Sequence, residues 1–505
     1  MKRFLALLLA VLMLVPTLAA CNTTEQPPVS TGDDTSPDTP VDSSDLTGPN
    51  STEPPAPDST EKTMHDVPVD SLDFGNEEFY AVAFEWQGYP YYFFAEEESS
   101  DPMQSALYNR QRSIEDAIGV KISYYLYPSY NALNQAIDQD VNVGETAIDM
   151  ALLHCITGVA QFTSGGYLYP LDELEYVDVK APWWNEEQME GLRLGSSYYF
   201  GVNDFMIPCP YVIYFNKEMV EDMEGMEDPY QLVLDQKWTF DVFEEMARAA
   251  TIDVNTDGNY TVDFDSFGVA VHDDSDYSSF LTAFDQPITA KDEDGQLTVA
   301  LNTEKTVDIF ERFADMSVAK VFYPDASIEK EQITLDSGRL LFYFAPISEA
   351  EKLRDCEVDF GILPYPKYDE AQADYKSLDW GGLMCVPSVI SNPELTGAVI
   401  ELLAFESKKE VIPTYYDSVL DGQLAQDPES VKMLDILFDT ICYEPAMNYW
   451  GLTGSMFKLL FSPAHEAINK KNANFASFYA EYGDSAQKQI DDYYEALELM
   501  EDLYT

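Results

Sequence analysis

The chain beyond residue 77 alternates short apolar runs with amphipathic stretches. The apolar and aromatic run 79–84 predicts a buried strand, and Asp101 with the proline after it predicts the start of a helix that ends near Gly119. Further strands are predicted at 120–126 and 148–153. Strand, helix and strand at this spacing predict parallel pairing through right-handed crossovers.

The same alternation continues toward the C-terminus. Later strands are predicted at 211–215, 267–271, 340–344, 358–363 and 383–387, and further helices at 303–318, 392–405 and 485–503. The pattern is therefore α/β throughout. This length exceeds what one core comfortably holds, so two α/β lobes are expected.

The first twenty residues have the pattern of an export signal. Lys2 and Arg3 precede an almost purely apolar stretch, 4–15, which is too short to span a bilayer comfortably. The segment ends in Leu-Ala-Ala before Cys21, which resembles a lipobox. We therefore expect residues 1–20 to be a lipoprotein signal peptide and Cys21 to carry lipid at the extracellular face of the cell membrane. The alternative is a secreted protein in which Cys21 merely follows the cleavage site.

The composition of residues 21–72 predicts a tether. The segment holds many Ser, Thr and Asp residues, eight prolines between 27 and 57, and no large aromatic residue. Such a stretch cannot bury enough apolar surface to offset its ordering entropy, so we expect it to be disordered.

The charge balance narrows the possible partners. The chain has 28 Lys plus Arg against 91 Asp plus Glu, a net charge of −63. Nucleic acid is excluded because binding phosphates needs a basic footprint, and acidic ligands are disfavoured for the same reason. Neutral or cationic ligands remain. The four histidines include no pair spaced by four residues, which argues against a His-ligated zinc enzyme.

After Cys21 the chain has five cysteines and no C-x-x-C pair. An odd number leaves at least one thiol free within a single chain. Most of them sit in apolar surroundings, so buried reduced thiols are predicted.

The order of short motifs resembles the extracellular solute-binding proteins of ABC importers, in the family 1 group that includes maltose-binding protein. The motifs lie at 149–153, 166–172, 198–201, 211–219, 238–243, 337–342, 359–366 and 386–394. The resemblance implies two doubly wound α/β lobes joined by a hinge, the periplasmic-binding-protein type 2 fold. Lobe 1 is expected at 73–208 and 378–435, and lobe 2 at 209–377 and 436–505 with some helices crossing back.

The resemblance implies a lipid-anchored, monomeric protein that captures a carbohydrate, an oligosaccharide in particular, and delivers it to the transmembrane subunits of an ABC permease. The sequence lacks G-x-S-x-G, P-loop, G-x-G-x-x-G and H-E-x-x-H signatures, so no enzymatic activity is expected. A binder of a peptide or polyamine, and a surface enzyme acting on glycans, remain as alternatives.

Candidate ligand residues follow or precede predicted strands, because ligands of open α/β sheets bind beyond the carboxyl ends of the strands. Neutral sugars are held by an aromatic platform beside carboxylate and amide groups. The candidates with this chemistry, or at these positions, are Glu85, Trp86, Gln87, His154, Asp204, Tyr211, Ser348, Trp380 and Trp450. Trp238 is expected in the core.

Residues 253–265 resemble the opening of an EF-hand loop, with oxygen side chains at positions 1, 3 and 5 and glycine at position 6. The acidic residue expected at position 12 is replaced by Phe264. Asp263 or Asp265 would have to take its place. With that substitution a structural Ca²⁺ is predicted on Asp253, Asn255, Asp257, Asn259, Asp263 and Asp265. A surface turn rich in Asx residues is the alternative.

Overall fold

The computed structural model describes residues 62–85, 93–193, 195–270, 274–293, 295–322, 335–419, 427–450 and 453–504. The predicted signal peptide, Cys21 and most of the predicted tether lie outside these residues, as do Trp86 and Gln87.

The strands of the described part, in chain order, are β1 (Glu77–Phe84), β2 (Val120–Tyr127), β3 (Met150–His154), β4 (Tyr211–Asn216), β5 (Phe267–Ala270), β6 (Thr289–Lys291), β7 (Leu297–Val299), β8 (Leu340–Pro346), β9 (Phe360–Leu363), β10 (Ser377–Leu378), β11 (Gly382–Cys385) and β12 (Ile441–Cys442).

The helices, in chain order, are α1 (Pro102–Ile118), α2 (Tyr130–Val143), α3 (Val159–Ser164), α4 (Glu186–Leu192), α5 (Lys217–Glu221), α6 (Pro229–Leu234), α7 (Phe240–Ala250), α8 (Asp274–Ala283), α9 (Glu304–Val318), α10 (Pro393–Glu406), α11 (Ile412–Val419), α12 (Pro428–Asp439), α13 (Pro445–Trp450), α14 (Gly454–Leu460), α15 (Ser462–Lys470) and α16 (Phe475–Tyr504).

Local sequence explains where α1 begins and ends. The Asp101 side chain accepts a hydrogen bond from the backbone N–H of Gln104, and proline occupies the first turn, where no N–H partner is needed. Gly119 ends the helix in the left-handed conformation, at φ +62°. The predicted cap and stop are therefore confirmed.

The first lobe is built on a sheet with the strand order β11-β3-β1-β2. Strands β1, β2 and β3 are parallel, as the strand–helix–strand spacing predicted. Strand β11 joins this sheet from far along the chain and runs antiparallel to β3.

The second lobe has the order β5-β8-β4-β9, in which β4 is antiparallel to both neighbours. Strands β4 and β11 are each the first strand that the chain adds to a main sheet after it crosses from the other main sheet. They start at the edge of the sheet where the parallel strands end, so they run the opposite way.

An aromatic core fills the second lobe. Trp238 is fully buried, as predicted, and its indole N–H donates to the carbonyl of Pro364 at 3.0 Å. Its ring lies 5.7 Å from that of Phe342, and Phe243 packs between them and Phe280. Because a buried indole needs a partner for its N–H, this residue fixes the start of α7 on the sheet.

The C-terminal helices contact both lobes. Helix α12 packs on β9 and α6 of the second lobe, and α13 packs on α3 and α4 of the first. Helix α16 contacts α3 and also β7 and α9. It is longer at its N-terminal end than the predicted 485–503 because Phe475 stacks on Phe310 at 5.4 Å and fixes the first turn.

Residues 62–72, which the sequence assigns to the end of the tether, contact the first lobe. Val67 is buried, and Lys62 forms ion pairs with Asp66 and Asp178 at 2.7 Å. None of the described helices combines the length and apolar character needed to cross a bilayer.

The five cysteines after Cys21 all lie in the described part of the chain, where no disulfide joins any two of them, and four of them are buried. Burial raises the pKa of Cys356 to about 12, so this thiol stays protonated at neutral pH. The predicted buried, reduced state is confirmed.

Candidate functional site

The ends of the parallel strands define one edge on each sheet. In the first lobe the last residue of β3, His154, pairs with Gly382 at the start of β11. In the second lobe the first residue of β4, Tyr211, pairs with Pro346 at the end of β8. Because ligands of open α/β sheets bind at such edges, these two edges and the segments between them form the candidate site.

Three connecting segments join the lobes side by side: 207–210, 377–382 and 441–444. Pro210 forms an antiparallel bridge with Asp379. Strand β10 pairs in parallel with β12, Ser377 opposite Ile441. The lobes are therefore joined by a compact hinge of backbone hydrogen bonds.

Trp380 and Tyr211, which the sequence named separately, come together at this hinge. Their rings are 5.9 Å apart in an edge-to-face arrangement, and the Trp380 indole N–H donates to the Ser279 hydroxyl at 3.2 Å. Trp380 is 4% exposed. It spans from the hinge to a helix of the second lobe, so its ring is packed between protein groups rather than presented as an open platform.

The first-lobe edge carries a different aromatic cluster. The His154 ring lies 5.8 Å from that of Phe84 and 6.2 Å from that of Tyr130, and Tyr130 is 37% exposed. Burial lowers the pKa of His154 to about 4, so the imidazole is neutral at physiological pH. Glu85, directly after Phe84, is exposed.

Sequence reasoning missed Phe84 and Tyr130. Tyr130 begins α2 behind Ser129, whose hydroxyl accepts from the Ala132 N–H and caps the helix. The sequence did hold a signal for Tyr130. It directly follows the helix cap Ser129, which comes just after the predicted strand 120–126, so it lies at the edge where that strand ends.

Trp450 lies elsewhere, among the C-terminal helices. Its ring is 5.6 Å from that of Tyr493, and it lines a cavity of about 380 Å³ formed by α3, α13 and α16. The neighbouring Asn448 reaches back toward the first-lobe edge, where its side-chain amide donates to the Cys155 carbonyl at 3.0 Å.

Asp204 lines another cavity, of about 410 Å³, with α4 and α11. Its carboxylate lies 3.7 Å from the Lys408 ammonium, and burial raises its pKa to about 6. Trp184 lines the same cavity, and its indole N–H donates to buried Glu401 at 2.8 Å. Asp204 is therefore not grouped with Trp380 and Tyr211.

Ser348 lies beside the first connecting segment. It is buried, and the Cys209 thiol is 3.7 Å from its hydroxyl. The Tyr214 hydroxyl donates to the neighbouring Ile347 carbonyl at 2.8 Å, which fixes the turn that follows β8. Of the described candidates, the structure thus brings Tyr211, Ser348 and Trp380 to the hinge and places His154 at the first-lobe edge.

The 253–265 loop folds on its own backbone. The Asp253 carboxylate accepts from the N–H groups of Asp257 and Gly258, and Asp265 accepts from Val254 and Thr261 at 2.9 and 2.7 Å. These hydrogen bonds from backbone N–H groups lower the pKa of Asp265. Within the described residues, no group of three or more His, Cys, Asp or Glu side chains is arranged to hold a metal ion. The arrangement is that of an Asx-rich turn held by its own backbone N–H groups.

No protein-family model matches the chain, and no curated relative matches it. Solved structures do. The Listeria monocytogenes ABC substrate-binding protein Lmo0181, in complex with cycloalternan, aligns over 82% of this chain and 99% of its own, with a TM-score of 0.54 and 13% identity. The GacH receptor of Streptomyces glaucescens, described with acarbose, aligns over 83% and 99%, with a TM-score of 0.55 and 16% identity.

The maltose/maltodextrin-binding domain MalE of Bdellovibrio bacteriovorus, bound to maltotriose, aligns over 82% of this chain and 100% of its own, with a TM-score of 0.54 and 14% identity. At these identities the likeness establishes the fold. The chain has the two-lobed α/β fold of these solute-binding proteins, as the sequence predicted.

Proposed function

We propose that the chain is the carbohydrate-binding component of an ABC importer and captures an oligosaccharide between its two lobes. The observation that carries the proposal is the fold, together with the ligands named for its structural neighbours: cycloalternan, acarbose and maltotriose. Alignment over nearly the whole length of those proteins means that both lobes and the hinge are retained.

The chemistry at the two edges supports a neutral sugar. Tyr130, which packs on buried Phe84 and neutral His154, offers apolar ring surface on the same edge as the Glu85 carboxylate. Sugar C–H faces pack on such rings while carboxylate and imidazole groups bond the hydroxyls. An anionic ligand would meet the field of a chain with a net charge of −63, which opposes its approach.

The N-terminal sequence suggests how the protein is held in place. We propose that Cys21 carries the lipid anchor, that the protein stays on the extracellular face as a monomer, and that it passes the sugar to permease subunits without changing it. Cys21→Ala should release the protein into the culture medium. Retention of this variant in the membrane fraction would contradict the anchor.

A thermal-shift panel tests the ligand class. Maltotriose, acarbose and cycloalternan should raise the melting temperature, since a ligand at 100 times its Kd stabilises the folded state by about 2.7 kcal/mol. Oligopeptides and polyamines are the comparison ligands, and sugar recovered unchanged after incubation would separate binding from hydrolysis. A shift with peptide or polyamine alone, or cleavage of the sugar, would contradict the proposal.

A further inference from the structure

Asp379 lies where the three connecting segments of the hinge meet. Its Oδ1 accepts the backbone N–H of Cys209, in the first segment, at 2.7 Å. Its Oδ2 accepts the hydroxyl of Tyr443, in the third segment. Its own N–H donates to the carbonyl of Cys442 at 3.3 Å. One residue of the second segment thus holds the other two.

The carboxylate has no basic partner within the described part of the chain. Asp379 is 3% exposed, and burial raises its pKa. The Tyr443 hydroxyl and the Cys209 N–H act in the opposite direction, because they stabilise the charged form. A buried carboxylate is costly unless it is fully hydrogen-bonded, so this position is held by donors from the chain itself.

Gly381 makes the close approach feasible. A Cβ at this position would lie 2.8 Å from Oδ2 of Asp379, closer than real Cβ atoms come to a neighbouring oxygen. The glycine therefore leaves the carboxylate room to fold back over its own segment. Trp380, between the two residues, packs against Tyr211 and donates to the Ser279 hydroxyl.

We propose that Asp379 is the positioning residue for ligand capture: its carboxylate holds the three connecting segments as one unit and sets the orientation of Trp380. Lobe motion then follows a single rotation about this point, because the segments cannot slide past one another. The role in ligand capture rests on the proposed function, whereas the coupling of the segments does not.

Tyr443→Phe in the full chain removes one donor and keeps the ring. Spin labels attached through non-canonical amino acids at exposed Val143 in the first lobe and Val318 in the second spare the cysteines. The ligand-free distance distribution between them should broaden. Affinity for maltotriose should also fall, because the lobes then start from a wider range of orientations and fewer of them close correctly on the ligand. Asp379→Ala should broaden the distribution further.

Asp149→Ala is the matched control. Asp149 is likewise buried, and its carboxylate accepts the Tyr80 N–H at 2.8 Å, but both residues lie within the first lobe. It should lower the melting temperature without changing the interlobe distances. If Tyr443→Phe and Asp379→Ala also lower only the melting temperature, Asp379 is merely structural and the proposal is overturned. If maltotriose fails to bind the unmodified protein, the ligand-free distances still decide the coupling.

Discussion

The two sheet edges use aromatic residues in opposite ways. At the first-lobe edge, Tyr130 is 37% exposed and shares a cluster with His154 and Phe84. At the hinge, Trp380 is 4% exposed and packs on Tyr211. The first edge offers free ring surface to a ligand, whereas the second is already consumed by packing. Residues with the same chemistry therefore have different roles, which their burial decides.

The largest expected effect is at the hinge. Trp380→Ala should lower the free energy of unfolding by about 3–5 kcal/mol, the usual cost of deleting a buried tryptophan. Affinity for maltotriose should fall by less than about tenfold, because the ring is already packed between protein groups and offers little surface to a ligand. Urea denaturation and titration calorimetry give the two quantities. Unchanged stability would mean that Trp380 is not packed as described.

The pH dependence of folding stability tests the surroundings of His154 at the first-lobe edge. Its folded-state pKa of about 4 lies below the ordinary value of 6.5, so the unfolded chain binds more protons between these values. The stability that goes with neutral His154 is present above pH 6.5 and is lost as the pH falls toward 4. At pH 5 the loss amounts to roughly 2 kcal/mol.

The His154→Gln variant isolates this contribution. Partial or complete burial raises the pKa values of Asp149, Asp204 and Glu401. These groups oppose the effect of His154, since the folding stability that goes with their protonated forms is lost as the pH rises. The measurement is therefore the difference between wild type and His154→Gln from pH 5 to 7. A difference that stays constant over this range would contradict a buried neutral imidazole.

Replacing Tyr130 should affect affinity more than stability, the reverse of what is expected for Trp380. Tyr130→Ala removes a partly exposed ring, so the free energy of unfolding should change by less than about 1 kcal/mol. Affinity for maltotriose should fall about tenfold because the ring offers sugar-facing surface. Tyr125→Ala is the control, since Tyr125 is 49% exposed on β2, away from the His154 cluster. Equal losses in the two variants would remove the distinction between the edges.

The fold was predictable from the sequence because its signals are local. The Asp101 cap, the Gly119 stop and the apolar runs mark α1 and the strands without any knowledge of tertiary contacts. The direction of β4 and β11 was not predictable, because it depends on where the chain crosses between sheets. The burial of Trp380 depends on Ser279, which is 101 residues away in the sequence.

The candidate site was only partly predictable for the same reason. The rule that ligands meet strand ends selected Tyr211, Ser348 and Trp380, and the structure brings these residues to the hinge. It could not tell an open ring from a packed one. Asp204 and Trp450 met the same chemical criterion, yet they line separate cavities, because α11 and the C-terminal helices cover them.

The smallest expected effect concerns the 253–265 loop, whose Asp257 is exposed, in contrast to the buried Asp379 at the hinge. If Ca²⁺ binds there as the sequence predicts, EDTA should lower the melting temperature by a few degrees, and Asp257→Ala should abolish that sensitivity. Asp265→Ala is the comparison. It loses the hydrogen bonds from Val254 and Thr261 in addition to a predicted Ca²⁺ ligand, so its melting temperature should lie below that of the unmodified protein even in EDTA. Identical melting curves for the unmodified protein in calcium and in EDTA would leave the loop as a turn held by its own amides.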